Sequence, residues 1–307
     1  MDILTDPLRD GVFVRALIDV VAVAVVAGVV GTFIVLRGTS FLGDALAHAI
    51  FPGVVTAFLL EWNLLAGALV AGLAMAALMG LLTANARVSS DTAIGVVFTA
   101  AFAVGVIVLS TQTIEGEELE HILFGDPLSA GWGDVVLTLA IGSGVLAAML
   151  LLRRLFVMVA FDPLGARAMG LPAVALDIAL LVLTALTVVI SFKAVGNILV
   201  IALVITPAAT ARLLTDRLLP MTFLAAALGS IAAVVGLYFG YHQETSAGGV
   251  IVLSSTLIFF GAWLVAPRGV LTAAIVRREG ALLRVEPEAE AEVLLASPEI
   301  RAPHEAS

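Results

Sequence analysis

Four stretches of this chain, residues 64–84, 92–112, 220–240 and 247–266, contain no Asp, Glu, Lys, Arg or His. Each matches the roughly 20 residues that an α-helix needs to cross a hydrocarbon core of about 30 Å. A water-soluble fold could not hide four such runs. Charged residues ordinarily make up about a quarter of a globular chain, whereas here 13% are charged and 61% are hydrophobic, with a mean hydropathy of +1.15. Lipid cannot satisfy open backbone groups, and the runs are too long and too uniformly apolar for barrel strands. The chain therefore reads as an all-α polytopic membrane protein.

Length and charge gaps divide it into about nine transmembrane helices, at 14–36, 40–60, 64–84, 92–112, 134–152, 173–192, 196–216, 220–240 and 247–266. Ala24, Gly28 and Gly31 in the first span, and Ala68, Gly72 and Ala76 in the third, are small enough to let helices approach closely in lipid. With the 153–172 loop in the cytoplasm, Arg37, Arg87, Arg153, Arg154, Arg167, Arg212, Arg217, Arg268, Arg277, Arg278, Arg284 and Arg301 share that side, 12 of the 15 basic residues. This is the asymmetry the positive-inside rule demands. It puts the C-terminus inside and, with nine spans, the N-terminus outside. Arg9 and Arg15 lie against that placement, and an eight-span arrangement with one early segment not crossing is the alternative. Residues 1–13 read as an N-terminal segment, whose Asp2, Asp6 and Asp10 do not make the basic start of a signal peptide. Residues 14–278 read as the transmembrane domain. In 279–307, Glu286, Glu288, Glu290, Glu292 and Glu299 mixed with Pro287, Pro298 and Pro303 read as a disordered acidic cytoplasmic tail.

Composition excludes several functions. A net charge of -9 argues against a nucleic-acid partner, which favours a basic face. With no cysteine there are no disulfides, thiolate metal sites or Cys nucleophiles. The chain lacks the Gly-x-x-x-x-Gly-Lys-Ser/Thr cradle for ATP, and it lacks the His-Glu-x-x-His and Gly-x-Ser-x-Gly arrangements of hydrolases. No catalytic set is visible, and no cofactor of the chain's own is expected.

The most informative segment is Gly43-Asp44-Ala45-Leu46-Ala47-His48-Ala49-Ile50-Phe51-Pro52-Gly53. Asp44 and His48, four apart, share one helix face. Ionisable groups within a span are expensive and face the bundle interior or a water-filled path. A carboxylate oxygen with an imidazole nitrogen suits Mn, Zn or Fe(II). The plainer alternative is a structural Asp–His pair or a helix cap. Pro52 offers no N–H to the His48 carbonyl, which is thereby free to face a cavity. Pro207, in Ile205-Thr206-Pro207-Ala208, likewise releases the Leu203 carbonyl, as a gating hinge or as a kink that serves packing. In Phe161-Asp162-Pro163-Leu164-Gly165-Ala166-Arg167-Ala168-Met169-Gly170-Leu171-Pro172, Asp162 can cap a short helix that Pro163 starts and Gly170 ends. That cytoplasmic helix is either a connector or a docking element for a soluble partner. Glu115, Glu117, Glu118, Glu120, His121 and Asp126 form an outer acidic segment, a solvated loop or a ligand-handing one. The same two readings apply to His242 and Glu244, and His304 lies in the tail.

Taken together, these residues resemble the zinc/manganese permease family of ABC importers. The matching pieces are GDALAHAIFPG, DTAIGVVFTAAFAVG at 91–105, LFGD at 123–126, FDPLGARAMGLP at 161–172, AVGNILVIALVITPAATARLL at 194–214 and TSAGGVIVL at 245–253. The resemblance implies a permease in the cell membrane of a prokaryote that imports divalent manganese or zinc, with iron as a third cargo. It implies ATP on a separate pair of ATPase subunits, a second permease copy (a homodimer or a heterodimer) and an extracytoplasmic metal-binding protein. It assigns Asp44 and His48 to the metal pathway, and the segment of Asp162, Pro163, Arg167 and Gly170 to ATPase docking as a coupling helix. The acidic tail departs from the family pattern. Two other readings stand beside it: a permease for chelated metal, of the siderophore or cobalamin type, and an ATP-independent metal transporter or channel.

Overall fold

The computed structural model describes residues 6–84, 88–110, 127–195, 200–243 and 245–266. The expected acidic tail and the acidic segment at 115–126 lie outside these residues. Among those described there is no strand. The helices are α1 (Gly11–Arg37), α2 (Phe41–Ala49), α3 (Phe51–Leu59), α4 (Leu64–Thr83), α5 (Ser90–Ser110), α6 (Trp132–Phe161), α7 (Pro163–Ala168), α8 (Ala173–Val195), α9 (Val200–Leu214), α10 (Leu218–Gln243) and α11 (Ala247–Val265).

Eight of the apolar stretches are long enough to cross a membrane, with α2 and α3 together making one of them. α9, whose described part is 15 residues, is the shorter apolar helix among the described residues. α6 departs from expectation, running past 152 to Phe161. Arg153 and Arg154 do not stop it, because Arg is a good helix former and its stem lies along apolar surface while the head reaches water.

α1, the α2–α3 span and α8 are the most enclosed, and α4, α5, α6, α10 and α11 surround them. Close approach rests on glycine. A Cβ on Gly28 would lie 2.7–2.8 Å from the Ala225–Ala226 backbone of α10, and one on Gly31 would strike the Val204 carbonyl of α9. Gly53 of α3 and Gly67 of α4 meet backbone to backbone. Lipid supplies no dispersal of apolar groups to drive such contacts, so fit between small residues carries them. Buried Thr184, Thr187 and Ser191 of α8 donate to the carbonyls of Leu180, Leu183 and Thr187, at 2.8, 2.8 and 2.6 Å, and so satisfy themselves within the helix.

Arg37, Arg153, Arg154, Arg167, Arg212 and Arg217 fall at one end of the bundle, where α1, α6 and α9 finish and α8 and α10 begin. The positive-inside rule assigns that end to the cytoplasm. At the opposite end Asp10 caps α1 through Val12 N (2.9 Å) and accepts from the Tyr241 hydroxyl (3.3 Å), while Phe13 meets Tyr238 and Tyr241 edge-on.

Candidate functional site

The second span is broken at Ile50, six residues past Asp44 and two past His48. Ile50 N donates to Leu46 O at 3.1 Å and closes α2, and Gly53 N and Val54 N turn to Ile50 O at 3.0 and 3.1 Å to open α3. Pro52 sits in the first turn of α3, where a missing N–H costs little. The stretch read as one span at 40–60, with Pro52 as a disturbance within it, is thus two short helices.

Asp44 lies in the first turn of α2, the end that favours an anion. His48 Nδ1 stands 3.2 Å from Asp44 Oδ1 and 3.1 Å from the Asp44 carbonyl. Both neighbours of Nδ1 are acceptors. A neutral ring thus carries its proton on Nδ1, donates it to Asp44, and presents the lone pair of Nε2, the arrangement by which histidine ligands are oriented. Two aromatic rings of α5 hold the imidazole edge-on: Phe98, with centroids 5.4 Å apart at 87°, and Phe102, at 5.9 Å and 64°. The two side chains remain about a quarter exposed, 26% for Asp44 and 25% for His48. Among the described residues no three His, Asp or Glu come together to hold a metal ion. One chain thus offers a divalent ion a carboxylate and an imidazole.

Phe98 and Phe102 were not singled out from sequence. Their four-residue spacing within DTAIGVVFTAAFAVG was the available signal, but it does not say which helix they face. An apolar groove of about 550 Å³ lies beside them between α3, α4 and α5, with Pro52, Gly53 and Thr56 along its floor. The Thr56 hydroxyl is engaged by the Pro52 carbonyl at 2.6 Å.

Pro207 lies inside α9, which continues through it, and its ring packs at Gly229 of α10. His242 is exposed at the outer end of α10, its Nδ1 2.9 Å from the Tyr238 carbonyl, on a different element from Asp44 and His48. Glu244 lies outside the described residues.

At the cytoplasmic end, Asp162 Oδ1 accepts from Gly165 N at 2.8 Å and caps α7, and Pro163 is its first residue. Gly170, at φ 78°, closes it, with Leu171 N donating to Ala166 O at 3.0 Å. Ala166 is buried, whereas Leu164 is 76% and Met169 60% exposed, with Arg167 exposed between them. The Arg37 guanidinium, at the end of α1, pairs with Asp177 in the second turn of α8. That pair, too, was not foreseen.

A bundle of helices with an ionisable pair beside a broken span is the build of a transporter. The comparisons with known proteins agree. The profile of the ABC 3 transport family matches residues 9–266, and the chain belongs to that family as a multi-pass membrane protein. It is 42% identical over 254 residues to the manganese transport system membrane protein MntC of Listeria monocytogenes, covering 83% of this chain and 90% of that protein. It is 37% identical over 257 residues to the chelated iron transport system membrane protein YfeD of Yersinia pestis, covering 84% and 86%. Among solved structures it resembles PsaBC from Streptococcus pneumoniae in complex with Fab, with a TM-score of 0.76 and 37% identity over 86% of this chain and 95% of that one.

Proposed function

We propose that this chain is the membrane permease subunit of an ATP-driven importer of divalent transition metal, with manganese as its cargo. The carrying observation is the Asp44–His48 pair at the break in the second span. Its oxygen and nitrogen donors suit Mn, Fe(II) and Zn alike. The name of the Listeria relative favours manganese, and that of the Yersinia relative brings in iron. Zinc rests on the donor set alone.

Two ligands fall short of the four that Zn takes and the six that Mn accepts. A second copy related by two-fold symmetry would bring the same pair again. The exposed outer side of Phe102, next to His48, supports a homodimer that closes around the ion. The exposed Leu164, Arg167 and Met169 on α7 offer mixed apolar and basic surface to a pair of ATPase subunits. ATP binding there moves α7 and exchanges outward- and inward-facing states, with Pro52 and Pro207 as the hinges. An extracytoplasmic protein delivers the ion. The chain itself carries out no covalent chemistry.

The test is uptake of radiolabelled Mn(II) by proteoliposomes holding this chain and its ATPase, with the extracytoplasmic metal-binding protein supplied. Uptake is expected to require ATP, and Fe(II) and Zn(II) as competitors rank the cargo. Asp44→Asn and His48→Gln should each lower it by at least about tenfold, the loss typical of removing a group that holds a metal, with assembly unchanged. Wild-type uptake by both variants would make the pair a structural contact. Full uptake without ATP or partner would make the chain a channel or a secondary transporter.

A further inference from the structure

We propose that the Arg37–Asp177 ion pair transmits the movement of α7 to the Asp44–His48 site, with Asp177 a positioning residue for transport. This rests on the reading of α7 as the ATPase-docking helix.

Three rigid connections meet at that pair. The first runs from α7 to α8. Between them lie only Met169–Pro172, and these are bonded throughout: Met169 N to Gly165 O (3.0 Å), Gly170 N to Arg167 O (3.0 Å), Leu171 N to Ala166 O (3.0 Å) and Ala173 N to Leu171 O (2.8 Å). With Ala166 buried, this bonded turn links α7 to the first turns of α8. Asp177 is in the second of those turns.

The second connection is the pair itself. The Arg37 side chain is 16% and the Asp177 side chain 34% exposed, so the guanidinium is mostly covered by the bundle and the carboxylate stays partly open to water. The guanidinium's fixed fork gives the contact direction as well as attraction.

The third runs from Arg37 to the metal pair. Gly38, at φ 71°, closes α1 by donating to Ile34 O and Val35 O. Thr39 N donates to Ile34 O at 3.3 Å, and Leu42 N to Thr39 O at 2.9 Å. These bonds tie the turn between α1 and α2 to both helices. Asp44 follows in the first turn of α2. A displacement of the start of α8 pulls Arg37 and, through this turn, rotates α2, whose other end is free to yield at Ile50. Contiguous stiff elements of this kind carry coupling between sites.

The experiment compares Asp177→Asn and Arg37→Gln with the charge-swapped pair Arg37→Asp/Asp177→Arg, in proteoliposomes with the ATPase and the extracytoplasmic metal-binding protein present. ATPase co-purification, ATP hydrolysis and Mn(II) uptake are each measured. In the single variants the ATPase is expected to co-purify and hydrolyse ATP as in the wild type, while Mn(II) moved per ATP falls about tenfold, within the usual range of coupling between sites. The swap is expected to restore most of that ratio, and Asp177→Glu, which keeps the charge, to retain it should Asp177→Asn fail to assemble. An unchanged Mn(II)-to-ATP ratio in assembled single variants overturns the proposal. So does a swapped pair as impaired as the singles, an Asp177→Glu variant with its ratio lost, or loss of co-purification in Asp177→Asn, which would make Asp177 a docking contact. Failure of the docking reading overturns it too but shows in a separate measurement: Arg167→Glu would then bind the ATPase as tightly as the wild type.

Discussion

Gly31 and Gly144 show what a single residue decides in this bundle. Both are glycines in long apolar helices, and from the sequence they look alike. Gly31 faces the Val204 carbonyl of α9 so closely that any Cβ must push the two helices apart, whereas nothing lies within 4 Å of a Cβ built on Gly144. Gly31→Ala should therefore destabilise the protein by about 1–3 kcal/mol, the usual cost of overpacking. Gly144→Ala should be neutral or stabilising by up to about 1 kcal/mol through helix propensity. Thermal unfolding of the detergent-solubilised variants distinguishes the two, and equal midpoints would refute the close crossing of α1 and α9. The same scale holds the Asp44–His48 pair. Spacing alone placed both on one face, but the orientation of the imidazole depends on Phe98 and Phe102 from another helix.

Among the elements, α7 is the one whose local chemistry was most fully legible. Asp162 as cap, Pro163 at the start and Gly170 at the end are short-range devices, and the helix forms between them as their order requires. Asp162→Ala removes the cap bond to Gly165 and should cost about 0.5–2 kcal/mol of local stability. The result expected is faster trypsin cleavage at Arg167 and weaker ATPase co-purification. Unchanged cleavage would mean that packing of Ala166 alone holds the helix. The break in the second span was half legible. Pro52 marked a disturbance, yet the turn falls at Ile50, because Pro is tolerated inside the first turn of a new helix and the preceding residues must end the old one.

At the scale of the whole molecule, the matched family region ends at residue 266, one residue past the last described helix. Residues 279–307 are expected to play no part in transport. A chain truncated after Arg278 should reach the membrane and support Mn(II) uptake at close to the wild-type rate. Loss of uptake at normal membrane levels would instead give the tail a regulatory or metal-sensing role. Phe102, beside His48, is exposed on the outside of the bundle. Cross-linking through single cysteines introduced next to Phe102 is direct to read, because the chain has no cysteine of its own.

The sequence by itself determined that this chain lives in a membrane, that it crosses as helices, and that Asp44 and His48 share one face within a span. These follow from transfer free energy, backbone hydrogen bonding and charge, all of which act along a short length of chain. The tertiary structure alone decided that Phe98 and Phe102 enclose His48, that Arg37 reaches Asp177 across 140 positions of sequence, and that Gly31 rather than Gly144 sits at a helix crossing. Hydrophobicity could not select among these, because in lipid every apolar face is equally content. The choice is made by shape, where small residues let two helices meet, and that is a property of pairs of helices which neither sequence segment contains alone.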